Sequence, residues 1–271
     1  MPIAMTILHR ELAPPDALKS AIACFWYDRR DAGAVTQPFE VLPDGYAEIV
    51  FHVGDACGMD DGRMRRLASP VLIGLLRQPV TMAVRGRLDI VGVRCHPWAV
   101  AHLLGIPAAT TDLRALGHPV AALQPMLERC IEGDRIDEAL ALVERHFARA
   151  GLCAPVDTML ARAGAAMREA HGTLAVNDVA AAAHATVRTL ERRFKQWSGH
   201  TVKEVSGLIR FEGARNALYR RPHDSIADLA QALGYVDQSH LGREFRRYSG
   251  TTPAAFARAR PRGDFGGFVQ A

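Results

Sequence analysis

No stretch of this chain approaches the roughly 18 consecutive apolar residues of a membrane span. Its opening, MPIAMTILHRELAPP, also lacks the charged-then-apolar order of a secretory signal. The expectation is a cytoplasmic protein with no membrane partner. Cysteine is sparse: Cys24, Cys57, Cys95, Cys130 and Cys153 are odd in number and scattered, with no CxxC pair. That pattern argues against a disulfide framework or a zinc knuckle and fits a reducing compartment. A glycine-rich phosphate loop, a G-x-S-x-G elbow and an H-E-x-x-H pair are all missing. His52 and His96 stand too far apart in sequence for a tight histidine metal motif. Neither catalytic residues, nor a metal, nor a cofactor is expected.

Net charge is small overall, and informative once divided. Of the net +4 over 271 residues, residues 172–260 hold 14 Lys/Arg and 8 Asp/Glu, a net +6, while the remainder carries −2. The basic part is where a polyanion would be met. A length of 271 residues fits two domains of ordinary size, here 1–150 and 155–260, with a flexible Pro/Gly-rich tail at 261–271.

The first domain reads as short β-prone runs with turn punctuation. Pro14-Pro15-Asp16 opens a short helix through Ala23, and Phe25-Trp26-Tyr27 starts an aromatic strand. In FEVLPDGYAEIVFHVGD, Pro43-Asp44-Gly45 is a turn between two strands. Further runs at Val71–Leu76, Val80–Val84 and Leu88–Arg94 are separated by Gly or Pro. The expected result is a β-rich barrel or sandwich with accessory helices. Among the latter are WAVAHLLG, ending at Gly105, and an amphipathic pair at 120–131 and 135–149. Polar groups on strands of such a barrel converge on a ligand, with Trp26, Glu48, His52, Arg94 and His96 as candidates. Against that, Asp44 has a turn role and Glu48 and His52 alternate with apolar residues as solvent-facing positions do.

The second domain contains one pattern twice, VNDVAAAAHATVRTLERRFKQWSGHT and IADLAQALGYVDQSHLGREFRRYSGTT. Leu190 falls on Leu241, Arg192 on Arg243, Phe194 on Phe245, and Ser198-Gly199 on Ser249-Gly250. Each copy reads as two short helices around a turn, after a helix at Asp157–His171 that Gly172 stops. In the first copy Asn177 or Asp178 caps the leading helix, and Thr186 caps the helix over 187–197. In the second, Gly234 fills the turn and Asp237 caps the following helix. His184 stands where Gly234 does, which predicts a different turn. With Val179, Leu190, Phe194 and Trp197 inward, helical spacing puts Arg188, Glu191, Arg192 and Lys195 on the other face. Arg192 suits guanine, Glu191 a cytosine amine, and Gln238, Ser239 and Arg243 read bases from the second copy. Thr186, Lys195, His240, Arg246 and Arg247 suit phosphates.

GYVDQSHLGREFRRYSGTTPAAFAR resembles the C-terminal signature of AraC/XylS-family transcription regulators, over about residues 157–258. The resemblance implies an α+β chain whose C-terminal unit is an all-α, homeodomain-like tandem helix-turn-helix domain, the two units joined by a long helix at Val202–Tyr219. It implies base-contacting roles for Arg188, Glu191 and Arg192, and for Gln238, Ser239 and Arg243. The segments FEVLPDGYAEIVFHVGD, GLLRQPV and GVRCHPWAVAHLLG resemble an N-terminal domain of some AraC-like regulators, implying a sensory or oligomerisation role. Partners are then double-stranded DNA, with RNA polymerase, a small-molecule effector and a second copy of the chain open to such a protein. Alternatives are a ligand-independent architectural DNA binder, and a cysteine-based chemical sensor or enzyme fused to a DNA-binding unit.

Overall fold

The computed structural model describes residues 6–60, 63–106, 117–150 and 157–259. Seven antiparallel strands form a single sheet: β1 (Thr6–Leu12), β2 (Ile22–Asp31), β3 (Gln37–Val41), β4 (Ala47–Asp60), β5 (Arg63–Arg66), β6 (Val71–Ile73) and β7 (Val80–Cys95). The order is β1-β2-β7-β4-β5, with β3 beside the first half of β7 and β6 beside β4. The β-rich unit is therefore one sheet with a lined inner face. Two separate runs expected at Val80–Val84 and Leu88–Arg94 are a single strand. Gly86 takes φ +69° between them, and it exchanges hydrogen bonds with the 32–33 turn, so the bend does not end the pairing. The helix expected through Ala23 is shorter: one 3-10 turn at Asp16–Leu18 precedes β2.

Alternation along the strands sorts the sheet into two faces. Phe25 and Tyr27 of β2, Ile49 and Phe51 of β4, and Val91 and Val93 of β7 are buried on one face. Helices α2 (Gln124–Glu132) and α3 (Ile136–Ala150) cover it, with Phe147 of α3 6.3 Å from Phe25. The amphipathic pair therefore packs on its own domain. The opposite face carries Trp26, Asp28, Glu48, Val50, His52 and Ile90 around an internal cavity.

Helix α1 (Val100–Leu104) ends at Gly105, φ +64°, as expected. After it the C-terminal unit is entirely helical: α4 (Thr158–Glu169), α5 (Val176–Ala182), α6 (Val187–Ser198), α7 (Val202–Arg220), α8 (Ile226–Ala232), α9 (Gln238–Ser249) and α10 (Pro253–Ala259). The expected flexible tail at 261–271 and Cys153 lie outside the described residues. No helix among the described residues is long and apolar enough to cross a membrane. One hydrophobic core cluster runs from Phe25 through Trp98 to Phe194 and Phe245, so the β-rich and helical units share a packed junction.

Candidate nucleic-acid interface and the domain junction

The two repeats fold alike. In the first, α5 and α6 are joined by a turn in which His184 N–H donates to Ala181 O and Ala185 N–H to Ala180 O. In the second, between α8 and α9, Gly234 N–H donates to Gln231 O and Tyr235 N–H to Ala230 O. His184 sits at φ +52° and Gly234 at +68°. The turn expected to differ is the same turn. The exposed imidazole has room in the left-handed region, at a backbone cost of about 1–2 kcal/mol that glycine avoids.

Caps place the second helix of each repeat. The Thr186 hydroxyl accepts from Thr189 N–H, and the Asp237 carboxylate accepts from His240 N–H at 2.6 Å. Both helices end on glycine in the left-handed region, Gly199 and Gly250. Neither Asn177 nor Asp178 caps α5: Ala175 holds that position without a side-chain bond, and both polar residues lie inside the first turn. The helix starts two or three residues earlier than the polar residues suggest, because Val176 already belongs to it.

Arg188, Arg192 and Lys195 on α6 and Gln238, Ser239, Arg243, Arg246 and Arg247 on α9 are all exposed. His240 is half-buried, its ring edge-on to Tyr235 at 5.3 Å. Two candidates are engaged inside the protein. The Thr186 hydroxyl is committed to its cap and to Thr189. Glu191 is half-buried and accepts from Val202 N–H at 3.4 Å, at the start of α7. Its carboxylate serves a helix terminus, where an anion is favoured.

Helix α7, between the two repeats, is 19 residues long, about 28 Å at 1.5 Å per residue. Thr201 and Glu204 form a reciprocal capping box at its start. Arg210 of α7 pairs with Glu244 of α9 at 3.1 Å, and Tyr235 O–H donates to the same carboxylate at 2.8 Å. Arg193 of α6 pairs with Asp157, at the head of α4, at 2.7 Å. These pairs fix α9 against α7 and α6 against α4, and their arginines look like any other surface cation in the sequence.

The junction with the β-rich unit is built from buried charges. Arg215 of α7 is buried and donates to Pro43 O at 3.3 Å. Arg168 of α4 donates to Glu212 at 3.0 Å and to Gly45 O, and lies 3.6 Å above the Tyr46 ring. Behind that turn Asp44 accepts from Tyr46 N–H and stands 3.9 Å from Arg94, whose Nε donates to Glu48 at 2.8 Å. The second Glu48 oxygen accepts from Trp26 Nε1 at 2.8 Å. Asp44 thus fills its turn role and is buried as well. Glu48 and His52 do not face water: both are buried, which overturns the solvent-facing alternative for this strand. Burial pushes the Glu48 carboxyl up to about 7 against the pull of Arg94. Burial raises Asp44 too and lowers Arg215.

The cavity beside this network has a volume of about 70 Å³, room for a few water-sized groups. Of the five residues expected to line it, Trp26, Glu48 and His52 do. Arg94 lies behind Glu48, and His96 sits past the end of β7, stacked on Trp98 at 5.0 Å. Trp98 in turn packs on Phe194 and on Gly164, where a Cβ would overlap the indole. Burial lowers the His96 imidazole to about 4. A histidine whose folded value lies below its free value near 6.5 stabilises the neutral state, and that stability is lost as pH falls from about 6.5 towards 4. We expect the His96 ring-proton chemical shift to stay flat down to about pH 5, whereas an exposed histidine titrates near 6.5. Two buried thiols are held protonated. Burial pushes Cys24 up to about 12 and Cys95 well above the ordinary thiol range, so neither supplies a thiolate at neutral pH. Among the described residues no group of three or more His, Cys, Asp or Glu side chains could hold a metal.

Two capped helices with exposed cationic faces, related by an internal repeat and spaced by a stiff helix, define a tandem helix-turn-helix protein. Residues 179–259 match the model of a helix-turn-helix domain, and residues 10–115 match that of a domain of unknown function (DUF6597). The HTH-type transcriptional activator RhaS of Escherichia fergusonii is 33% identical over 75 residues, covering 28% of this chain and 27% of that protein. RhaS of Klebsiella pneumoniae is 28% identical over 113 residues, 42% of this chain and 32% of that one. The chain thus spans about a third or less of the length of the curated relatives it matches. A transcriptional regulator with an AraC-type DNA-binding domain from Chromobacterium violaceum is 25% identical, covering 39% of this chain and 94% of that structure, with a TM-score of 0.36. Over its helix-turn-helix region the chain is thus similar to HTH-type transcriptional activators.

Proposed function

We propose that this chain is a sequence-specific DNA-binding transcription regulator in two units, 1–150 and 155–260. The single observation that carries this is the pair of matched, capped helices whose outward residues are Arg188, Arg192 and Lys195 in one and Gln238, Ser239, Arg243, Arg246 and Arg247 in the other. Arginine pairs with guanine edges and glutamine with adenine, so unequal readers address a non-palindromic site over two successive major grooves. Lys195, His240, Arg246 and Arg247 hold phosphates. Glu191 supports α6 more than it reads bases, and Thr186 supports it more than it holds a phosphate, given their engagement with Val202 and Thr189.

The β-rich unit controls this reader through its cavity and the buried junction. A wall of Phe39, Val41, Val50, Leu67, Ile73 and Ile90 favours a small, largely apolar effector, oriented by Trp26, Glu48 and His52. Such an effector would act on Pro43–Tyr46, the turn that holds Arg215 and Arg168.

A gel shift of the full chain on random duplex DNA tests the first claim. Binding should weaken linearly on a log–log plot against salt, and Lys195→Ala should reduce that slope by about one. Binding that is absent, or insensitive to salt, removes the DNA-binding reading. Thermal shift of the full chain across a panel of apolar metabolites tests the second, with Trp26→Ala abolishing any response.

A further inference from the structure

Four large hydrophobic side chains are exposed among the described residues, Leu8, Val35, Val187 and Val236. Two of the four stand at the N-terminal ends of the reading helices. Val187 is the first residue of α6, and Val236 immediately precedes the cap of α9. Val236 is 87% exposed, by far the highest of the four. A lone aliphatic group on a surface is ordinary; its position here is not. The backbone on both sides is fixed. Tyr235 is buried, its N–H donates to Ala230 O and its hydroxyl donates to Glu244. Asp237, one residue later, is committed to the helix cap. The valine is therefore held outward by a locked turn, alongside exposed Gln238 and Ser239.

We propose that Val236 is a specificity-determining residue that recognises the C5-methyl group of a thymine. The inference rests on the DNA-binding reading above and adds a base preference that no hydrogen-bonding residue of the second unit supplies. In the major groove the thymine methyl is the apolar group by which base edges differ, and aliphatic side chains contact it. An isopropyl group has no hydrogen bond to offer, so it discriminates only through that contact. Because Val236 precedes Gln238 by two residues, the thymine belongs to the half of the site that α9 reads. Val187, only 36% exposed, presents much less of its side chain and contributes less in the first half.

The test starts from duplexes selected out of a randomised library by the full-length wild-type chain. In the enriched duplex each thymine is replaced singly by deoxyuridine, which removes the methyl group and leaves every hydrogen-bonding group in place. One position in the α9 half should weaken wild-type binding about three- to five-fold, the scale of one buried methyl contact. Val236→Ala should bind the thymine and deoxyuridine duplexes within a factor of about 1.5 of each other. The inference is overturned if no deoxyuridine replacement in that half weakens the wild type. It is equally overturned if Val236→Ala loses as much as the wild type at that position. Failure of the library to enrich any sequence, with salt-independent retention, overturns the DNA-binding reading itself and this inference with it. Val236 is solvent-exposed, so the substitution leaves the fold intact, and an unchanged melting temperature verifies that.

Discussion

Arg215→Ala is expected to cost about 3–5 kcal/mol of unfolding free energy, the range for removing one partner from a buried charged network. The side chain is only 2% exposed, so its charge has no access to water. Burial opposes that charge, while Glu212 and Asp44 support it. Its Nη1 donates to Pro43 O, which ties the linker helix to the turn of the β-rich unit. Alanine removes the cation and leaves Asp44 and Glu212 in a low-dielectric junction facing Arg94 and Arg168 alone. Denaturant unfolding followed by circular dichroism should show a lower midpoint. Calorimetry should show the single transition broadening into two as the shared core loses its polar seam. A loss within about 0.5 kcal/mol, with one sharp transition, would mean that the junction is held by Trp98 and its apolar neighbours and that the arginine is incidental.

The second large effect concerns the readers. Arg192 and Arg243 occupy matched positions of the two repeats, and both are exposed on helices whose N-termini are capped. A bidentate arginine–guanine contact is worth about 1–3 kcal/mol of discrimination. The two arginines lie on separate helices without a shared partner, so their effects should add. The double variant Arg192→Ala, Arg243→Ala is expected to lose about 2–6 kcal/mol on the selected duplex, roughly 30-fold to 10⁴-fold in affinity. Binding to random DNA should fall far less, because Lys195, Arg246 and Arg247 remain for the phosphates. Competition of labelled selected duplex against unlabelled random duplex separates the two quantities. Equal losses on both would assign these arginines to phosphates and leave base reading to Gln238 and Ser239.

How readily each part could be read follows from how far apart the interacting groups lie in sequence. The ends of α6 and α9 depend on signals within three or four residues: Thr186 and Asp237 at the start, Gly199 and Gly250 at the end. The repeat supplies the inward set Leu190, Phe194, Leu241 and Phe245, and all four are fully buried. Where the local signal competed with tertiary pairing it misled. Gly86 punctuates the run from Val80 to Arg94, yet pairing with β2, β3 and β4 on its two sides carries β7 through the bend. The polar pair Asn177-Asp178 resembles a cap, yet the helix begins before it. Histidine at position 184 argues against the glycine turn, yet an exposed site lets it take the same conformation.

The tandem repeat, the basic excess confined to residues 172–260, and the identity of the outward cations were determined by the sequence alone. Helical and strand periodicity translate directly into faces, and a duplicated pattern makes each copy evidence for the other. Tertiary structure alone decided which arginines outside the repeated helices are buried. Arg94 meets Glu48 across 46 residues of chain, Arg168 meets Gly45 across 123, and Arg215 meets Pro43 across 172. Nothing local to those three arginines in the sequence marks them as partners across the fold. Whether a guanidinium waits for DNA or joins the two units is set by what the fold brings opposite it, because a buried charge persists only where a distant partner completes it.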